Sequence, residues 1–142
     1  MRIRSVALCI CSLLLLVLAG CPSGPVEPKL VPVQGTITMD GKPLAGASIM
    51  FGGVAFGETD ANGRYELGRG EKKGAPAGEY TVVIEKWTKP DGSVYRSAEG
   101  ISPMDAGATQ QIPTRYSHPE QSELKKTVPD SGGTIDFELT SK

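Results

Sequence analysis

Short runs in which apolar and polar residues alternate, each stopped by glycine or proline, constrain this chain more than any other feature. Val31, Val33, Ile37 and Met39 alternate with Gln34, Thr36 and Thr38, the period of a strand with one buried and one wet face. Asp40-Gly41-Lys42-Pro43 breaks that run as a turn. Ala47, Ile49 and Phe51 alternate with Ser48 and Met50 until Gly52-Gly53, and the turn Asp60-Ala61-Asn62-Gly63 leads into Tyr65 and Leu67 as inward residues. The run Glu79 to Trp87 puts Tyr80, Val82 and Ile84 on one face and Thr81, Val83, Glu85 and Trp87 on the other. Leu124 to Val128 and Thr134 to Leu139 flank Pro129-Asp130-Ser131-Gly132-Gly133. They read as a hairpin whose second arm points Ile135, Phe137 and Leu139 inward.

The chain has 18 glycines and 11 prolines in 142 residues, which favours turns over long helices. The single helical candidate is one turn near Pro119 to Glu123. Six or seven short strands without an amphipathic helix predict an all-β fold, an antiparallel sandwich of about seven strands. The formal charge of -1 gives no sign of a polyanion-binding surface, so no nucleic acid is expected as a partner.

The N-terminus indicates a compartment. Arg2 and Arg4 precede a 13-residue apolar stretch, Val6 to Leu18, and Leu18-Ala19-Gly20-Cys21 closes it. That is the layout of a secretory signal, and 13 apolar residues fall short of the roughly 20 needed to cross a bilayer. The tetrapeptide resembles the lipobox of bacterial lipoproteins. That resemblance implies a signal peptide over residues 1–20 and lipidation of Cys21 by a diacylglycerol thioether, commonly with an added N-acyl chain such as palmitate. Cys9 and Cys11 lie in the removed segment, so no disulfide can form within one mature chain. Without Arg2 and Arg4, 13 basic residues face 16 acidic ones, a net charge of -3. The acylated Cys21 makes the lipid bilayer an anchor, and the expected location is the cell envelope, on its periplasmic or outer-surface side. Residues 21–32 hold four prolines, Pro22, Pro25, Pro28 and Pro32, and read as a tether that in polyproline II form lifts the domain roughly 30 Å from the membrane. The alternative is that part of it docks on the domain edge. Residues 33–142 form the domain.

Four motifs in order carry a more specific resemblance: Val33-Gln34-Gly35-Thr36-Ile37, Asp40 to Ala47, Thr59-Asp60-Ala61-Asn62-Gly63-Arg64-Tyr65, and Pro76-Ala77-Gly78-Glu79-Tyr80-Thr81-Val82. Together they resemble the carboxypeptidase regulatory-like domain family. Ile112 to Ser117 with Leu124 to Leu139 further resembles small lipoproteins of planctomycete-type bacteria. The resemblance implies a transthyretin-like, or prealbumin-like, Greek-key sandwich of seven strands, used as an accessory module; it implies no reaction. From the residues themselves, Gly35 and Gly46 are expected at close approaches or positive φ, Asp60 and Asn62 in their own turn, and the Tyr80 hydroxyl on a backbone group.

Catalytic and metal motifs are weak. Asp130-Ser131-Gly132-Gly133 echoes a serine-protease nucleophile, and His118 is the sole histidine, but a buried aspartate and an oxyanion hole are also required. Glu58, Asp60, Asn62 and Gly63 match the start of a calcium loop whose twelfth position is Arg69, a cation where a glutamate belongs. Hydroxyisourate hydrolase, a transthyretin-like enzyme, requires several histidines and a C-terminal Tyr-Arg-Gly-Ser; this chain ends Leu-Thr-Ser-Lys. Asp105 and Glu99 are scattered acids in a loop. No metal and no cofactor is expected, and no enzymatic activity. Thr88 to Gln111 is a 24-residue connection, long enough to be functional or disordered. Lys89-Pro90-Asp91-Gly92 predicts a projecting hairpin with Trp87 facing Tyr95, followed by a loose Ser97 to Gln110. Trp87 and Tyr95 are therefore the candidate contacts for an envelope protein, with a glycan as the alternative ligand and a hydrolase as the more distant one.

Overall fold

The computed structural model describes residues 26–96 and 100–142. Residues 26–29 lead into β1 (Leu30–Val31) and β2 (Val33–Met39), followed by β3 (Lys42–Pro43), β4 (Ser48–Phe51) and β5 (Ala55–Glu58). Next come β6 (Arg64–Glu66), β7 (Gly68–Arg69), β8 (Lys72–Lys73), β9 (Ala75–Pro76), β10 (Gly78–Glu85) and β11 (Trp87–Thr88). The C-terminal part holds β12 (Thr109–Gln110), the helical turn α1 (Thr114–Ser117), β13 (Lys125–Val128), β14 (Gly133–Thr134) and β15 (Phe137–Leu139). Seven of these strands have three residues or more, and they build an all-β sandwich.

One sheet has the order β13-β10-β4-β5-β7-β8; the other centres on β2, with β14 and β15 along one edge and β3 and β6 along the other. The alternation read in the sequence is the alternation of burial. Val33, Ile37, Ile49, Phe51, Tyr65, Leu67, Val82 and Ile84 are all buried between the sheets. Each such side chain contributes about 1.5 to 3 kcal/mol by leaving water. Phe51 meets Tyr80 and Phe137 edge-on, with ring centroids 6.1 Å apart in both pairs.

Several turn residues behave as their chemistry requires. An added Cβ on Gly35 would lie 1.9 Å from the Ile135 carbonyl oxygen, and Gly46 has φ +66°. The Asp60 carboxylate accepts from the backbone N–H groups of Asn62 at 2.8 Å and Arg64 at 3.0 Å. Tyr80 donates its hydroxyl to the Pro76 carbonyl at 3.0 Å.

Three expectations need correction. Leu124 to Val128 and Thr134 to Leu139 do not pair as a hairpin. Instead β13 pairs antiparallel with β10 in one sheet, while β14 and β15 pair parallel with β2 in the other. The Pro129 to Gly132 turn crosses between sheets, and Gly132 fits against Pro32 where a Cβ would lie 2.1 Å from the carbonyl oxygen. A chain that descends along β13 and crosses there must rise alongside β2, hence the parallel pairing. The helical turn lies at Thr114 to Ser117 rather than Pro119 to Glu123, because Pro119 pushes the preceding His118 into extended backbone, φ -114° and ψ 127°. Finally, β1 pairs with β9, Leu30 opposite Pro76 and Val31 opposite Ala75. The last tether residues thus dock on the sandwich edge, and the domain does not stand off on a spacer running to residue 32.

The sandwich has two distinct ends. At the start of β2 lie β1, β9, the β7–β8 hairpin and the crossing turn, joined by Leu67 N–H to Val33 O at 2.9 Å and Gly133 N–H to Pro32 O at 2.9 Å. At its finish lie the Asp40 and Asp60 turns, with Ile37 N–H bonded to Gly63 O at 2.8 Å. β10 climbs from the first end to the second, since Gly78 faces Val128 and Glu85 faces Ser48. Trp87 therefore emerges opposite the tether.

Candidate functional site

Strand register creates a groove on the outer face of the first sheet. Val83 of β10 lies beside Met50 of β4, which lies beside Phe56 of β5. One pleat further on, Glu85, Ser48 and Glu58 line up in the same order. An apolar row and a carboxylate-bearing row thus run side by side, with Arg96 closing the rim, around a groove of about 570 Å³. Phe56 is 51% exposed there, an unusual position for a large aromatic on a strand. Arg96 binds Glu58 through Nε at 3.0 Å and Nη2 at 2.9 Å. Both side chains are well exposed, so the pair adds little stability.

Glu85 is the electrostatically distinct member. Partial burial raises its carboxyl above the ordinary glutamate range, while the Trp87 indole N–H and the nearby His118 pull the other way. The folded chain therefore binds this proton more readily than the unfolded chain, and ionisation opposes folding as pH rises above about 4.5. Glu85→Gln is expected to raise stability at neutral pH by less than about 1 kcal/mol, because solvent screens a half-exposed group. The gain should vanish below about pH 4, where both states of the wild type are protonated. Urea midpoints at the two pH values check this.

Trp87 and Tyr95 meet as expected but differ in accessibility. The hairpin forms, with Lys89 N–H bonded to Ser93 O at 2.8 Å and Tyr95 N–H to Trp87 O at 2.9 Å. Its turn is held by the Asp91 carboxylate, which accepts from Ser93 N–H at 2.9 Å and from the Ser93 hydroxyl at 2.6 Å. Trp87 is half-buried beside Glu85. Tyr95 is only 8% exposed, and its hydroxyl donates to the Ile101 carbonyl. It staples the following loop and offers no ring face to a partner.

Residues 97–99 lie outside the described residues, but from residue 102 onward the loop is held by backbone hydrogen bonds. Ala106, Gly107 and Ala108 N–H bond to Ser102, Met104 and Pro103 carbonyls at 3.0, 3.0 and 2.8 Å. β12 then pairs with β11, Trp87 opposite Gln110. Gln110 is the residue sequence reasoning missed. Its Oε1 accepts from the N–H groups of Lys86, Gln111 and Ile112 at 2.9, 3.1 and 3.2 Å, fixing the return of the loop beneath Trp87. Nothing local in the sequence distinguishes it from its neighbour Gln111.

The candidate catalytic and metal residues do not converge. The Ser131 hydroxyl donates to its neighbour's carbonyl, Gly132 O, at 3.3 Å, and His118 Nδ1 accepts from Glu120 N–H at 3.4 Å. Asp105 accepts from the Ser102 hydroxyl at 2.7 Å within its own turn. Cys21 and Glu99 lie outside the described residues. Among the described residues no three His, Cys, Asp or Glu side chains are grouped to hold a metal ion.

No family model matches the chain, and no curated protein matches it. Among solved structures, a 9R-lipoxygenase from Cyanothece PCC8801 is similar over 81% of this chain and 17% of its own length, at 20% identity and a TM-score of 0.36.

Proposed function

We propose that this chain is a lipoprotein of the cell envelope, anchored to a membrane through acylated Cys21, whose sandwich is a non-catalytic binding or scaffolding module for a protein partner. On its turn motifs we assign the sandwich to the carboxypeptidase regulatory-like, transthyretin-like type. The observation that carries the reading is the polarity of the domain. The tether docks at one end, through β1 on β9, while Trp87 and the polar row of the groove lie toward the other. An anchored module that must be reached by a partner needs its contact surface away from the bilayer. Met50 and the exposed Phe56, beside a charged rim, suit a protein segment, since interface cores favour aromatic and Met side chains within a polar surround.

The glycan alternative is weakened by the burial of Tyr95, which removes the ring expected to stack beside Trp87. Hydrolysis has one observation in its favour, namely Glu85 and Glu58 flanking Ser48 with their carboxylates in different environments. The groove is nonetheless an open sheet face, and Arg96 holds Glu58 in an ion pair.

Capture from envelope extract, using the acylated wild type and Trp87→Ala, tests the proposal. Recovery of a defined protein partner by the wild type, reduced about tenfold or more by the substitution, is expected for a central aromatic contact. Equal recovery by both would remove Trp87 from the site. Turnover of cell-wall glycan or peptide by the wild type but not by Glu85→Gln would replace the module with an enzyme.

A further inference from the structure

We propose that the tether end of the sandwich is itself a membrane-contact surface, whose β7–β8 hairpin meets anionic lipid head groups. The inference rests on the reading of Cys21 as the acylated anchor. Its geometric basis is reach. Val26 lies five steps along the chain from Cys21, a distance of at most about 18 Å even when fully extended. Beyond Val26 the chain is already fixed to the domain: Glu27 pairs with Lys72 of β8, and Leu30 and Val31 are hydrogen-bonded to β9. A lipid anchor at Cys21 therefore holds the β7–β8 hairpin close to the head groups.

The chemistry of that end fits the same neighbour. A hollow of about 680 Å³ opens between the docked tether and the hairpin, lined by Arg69, Lys72, Lys73, Glu27 and Leu30 among others. Lys29 and the three cations of the hairpin segment face three carboxylates, Glu27, Glu66 and Glu71, and the crossing turn adds a fourth, Asp130. The tether end is thus close to neutral, whereas the processed chain as a whole carries -3. On an anionic surface this distribution favours the tether end facing down and the Trp87 end facing out. Phosphate oxygens entering the hollow meet Arg69, Lys72 and Lys73 together.

The test uses the acylated full-length protein on vesicles of phosphatidylethanolamine and phosphatidylglycerol containing an acceptor dye on the head groups. The thiol of acylated Cys21 is occupied, so a donor dye can be placed on a single new cysteine, either Glu71→Cys in the β7–β8 turn or Lys42→Cys at the far end. The two ends are separated by the length of β2, six steps of about 3.3 Å or about 20 Å. Energy transfer from Glu71→Cys is expected to exceed that from Lys42→Cys by at least about twofold, and the preference should shrink on vesicles of phosphatidylcholine alone. Equal transfer from the two sites on anionic vesicles would overturn the seating, and a preference unchanged on phosphatidylcholine would overturn the charge contact. Protein that carries no acyl mass and fails to float with vesicles would instead overturn the lipoprotein reading, and this inference with it.

Discussion

Phe137→Ala is expected to cost about 3 to 5 kcal/mol, the range for removing a buried ring whose surroundings collapse only partly. Phe137 is 3% exposed and sits on β15, opposite Ile37 of β2. Its ring packs edge-on against Phe51 and tilted against Tyr65, with centroids 6.1 and 6.3 Å away. The Lys126 ammonium lies 5.4 Å from its centroid. Phe51 belongs to the first sheet and Tyr65 to the second, so the truncation opens a cavity between the layers. A domain of this size has about 5 to 15 kcal/mol to lose, and the described residues include no cysteine whose disulfide would limit the damage. Chemical denaturation with matched slopes measures the loss. A value well under 1 kcal/mol would mean that β15 does not run inward beside β2.

Gly35→Ala is expected to cost about 3 kcal/mol by a different route, overpacking against backbone rather than loss of volume. Between β14 and β15, residues Ile135 and Asp136 leave the ladder. The Ile135 carbonyl turns toward β2, into the space that Gly35 lacks a side chain to fill. Two groups depend on that arrangement: the Tyr65 hydroxyl, which donates to the same carbonyl at 2.6 Å, and Ile135 N–H, which bonds Gln34 O at 2.8 Å. The ladder donor on Thr36 is taken up by the Asp136 carboxylate at 2.7 Å. A methyl group 1.9 Å from that oxygen must push the bulge away and strand the largely buried tyrosine hydroxyl, whose ionisation burial already disfavours. An equilibrium unfolding midpoint unchanged from wild type would show that Ile135 does not make this approach.

What the sequence made legible was whatever is decided within a few residues. Period-two burial in β2, β4 and β10, and the Asp60 turn that holds itself by its own carboxylate, follow from local sterics and hydrogen bonding. Pairing partners were less legible because they are decided at long range. Leu124 to Val128 and Thr134 to Leu139 carry the alternation and the turn residues of a hairpin. What separates them is the close seat of Gly132 against Pro32, about 100 residues away in sequence, which no local pattern encodes. The helical turn lies a few residues before its expected place because the restriction that Pro119 places on His118 acts backward along the chain.

The groove was legible only in fragments. Val83 and Glu85 fall on one face by simple alternation, and Trp87, outside the groove's lining, follows from its place beside the hairpin. Phe56, Glu58 and Arg96 join them only once β5 is registered against β4 and the Arg96 guanidinium reaches Glu58. Tyr95 looked equivalent to Trp87 because both are aromatic and face each other across a turn; the Ile101 carbonyl that captures its hydroxyl lies in the loop beyond.

The proposed function depends first on how this chain is held in the envelope, and intact-mass spectrometry of the protein extracted from its native membrane measures that directly. A chain beginning at Cys21, lacking residues 1–20, with the added mass of a diacylglycerol thioether and an N-acyl chain, is expected. A membrane form retaining residues 1–20, or beginning at an unmodified Cys21, would contradict it.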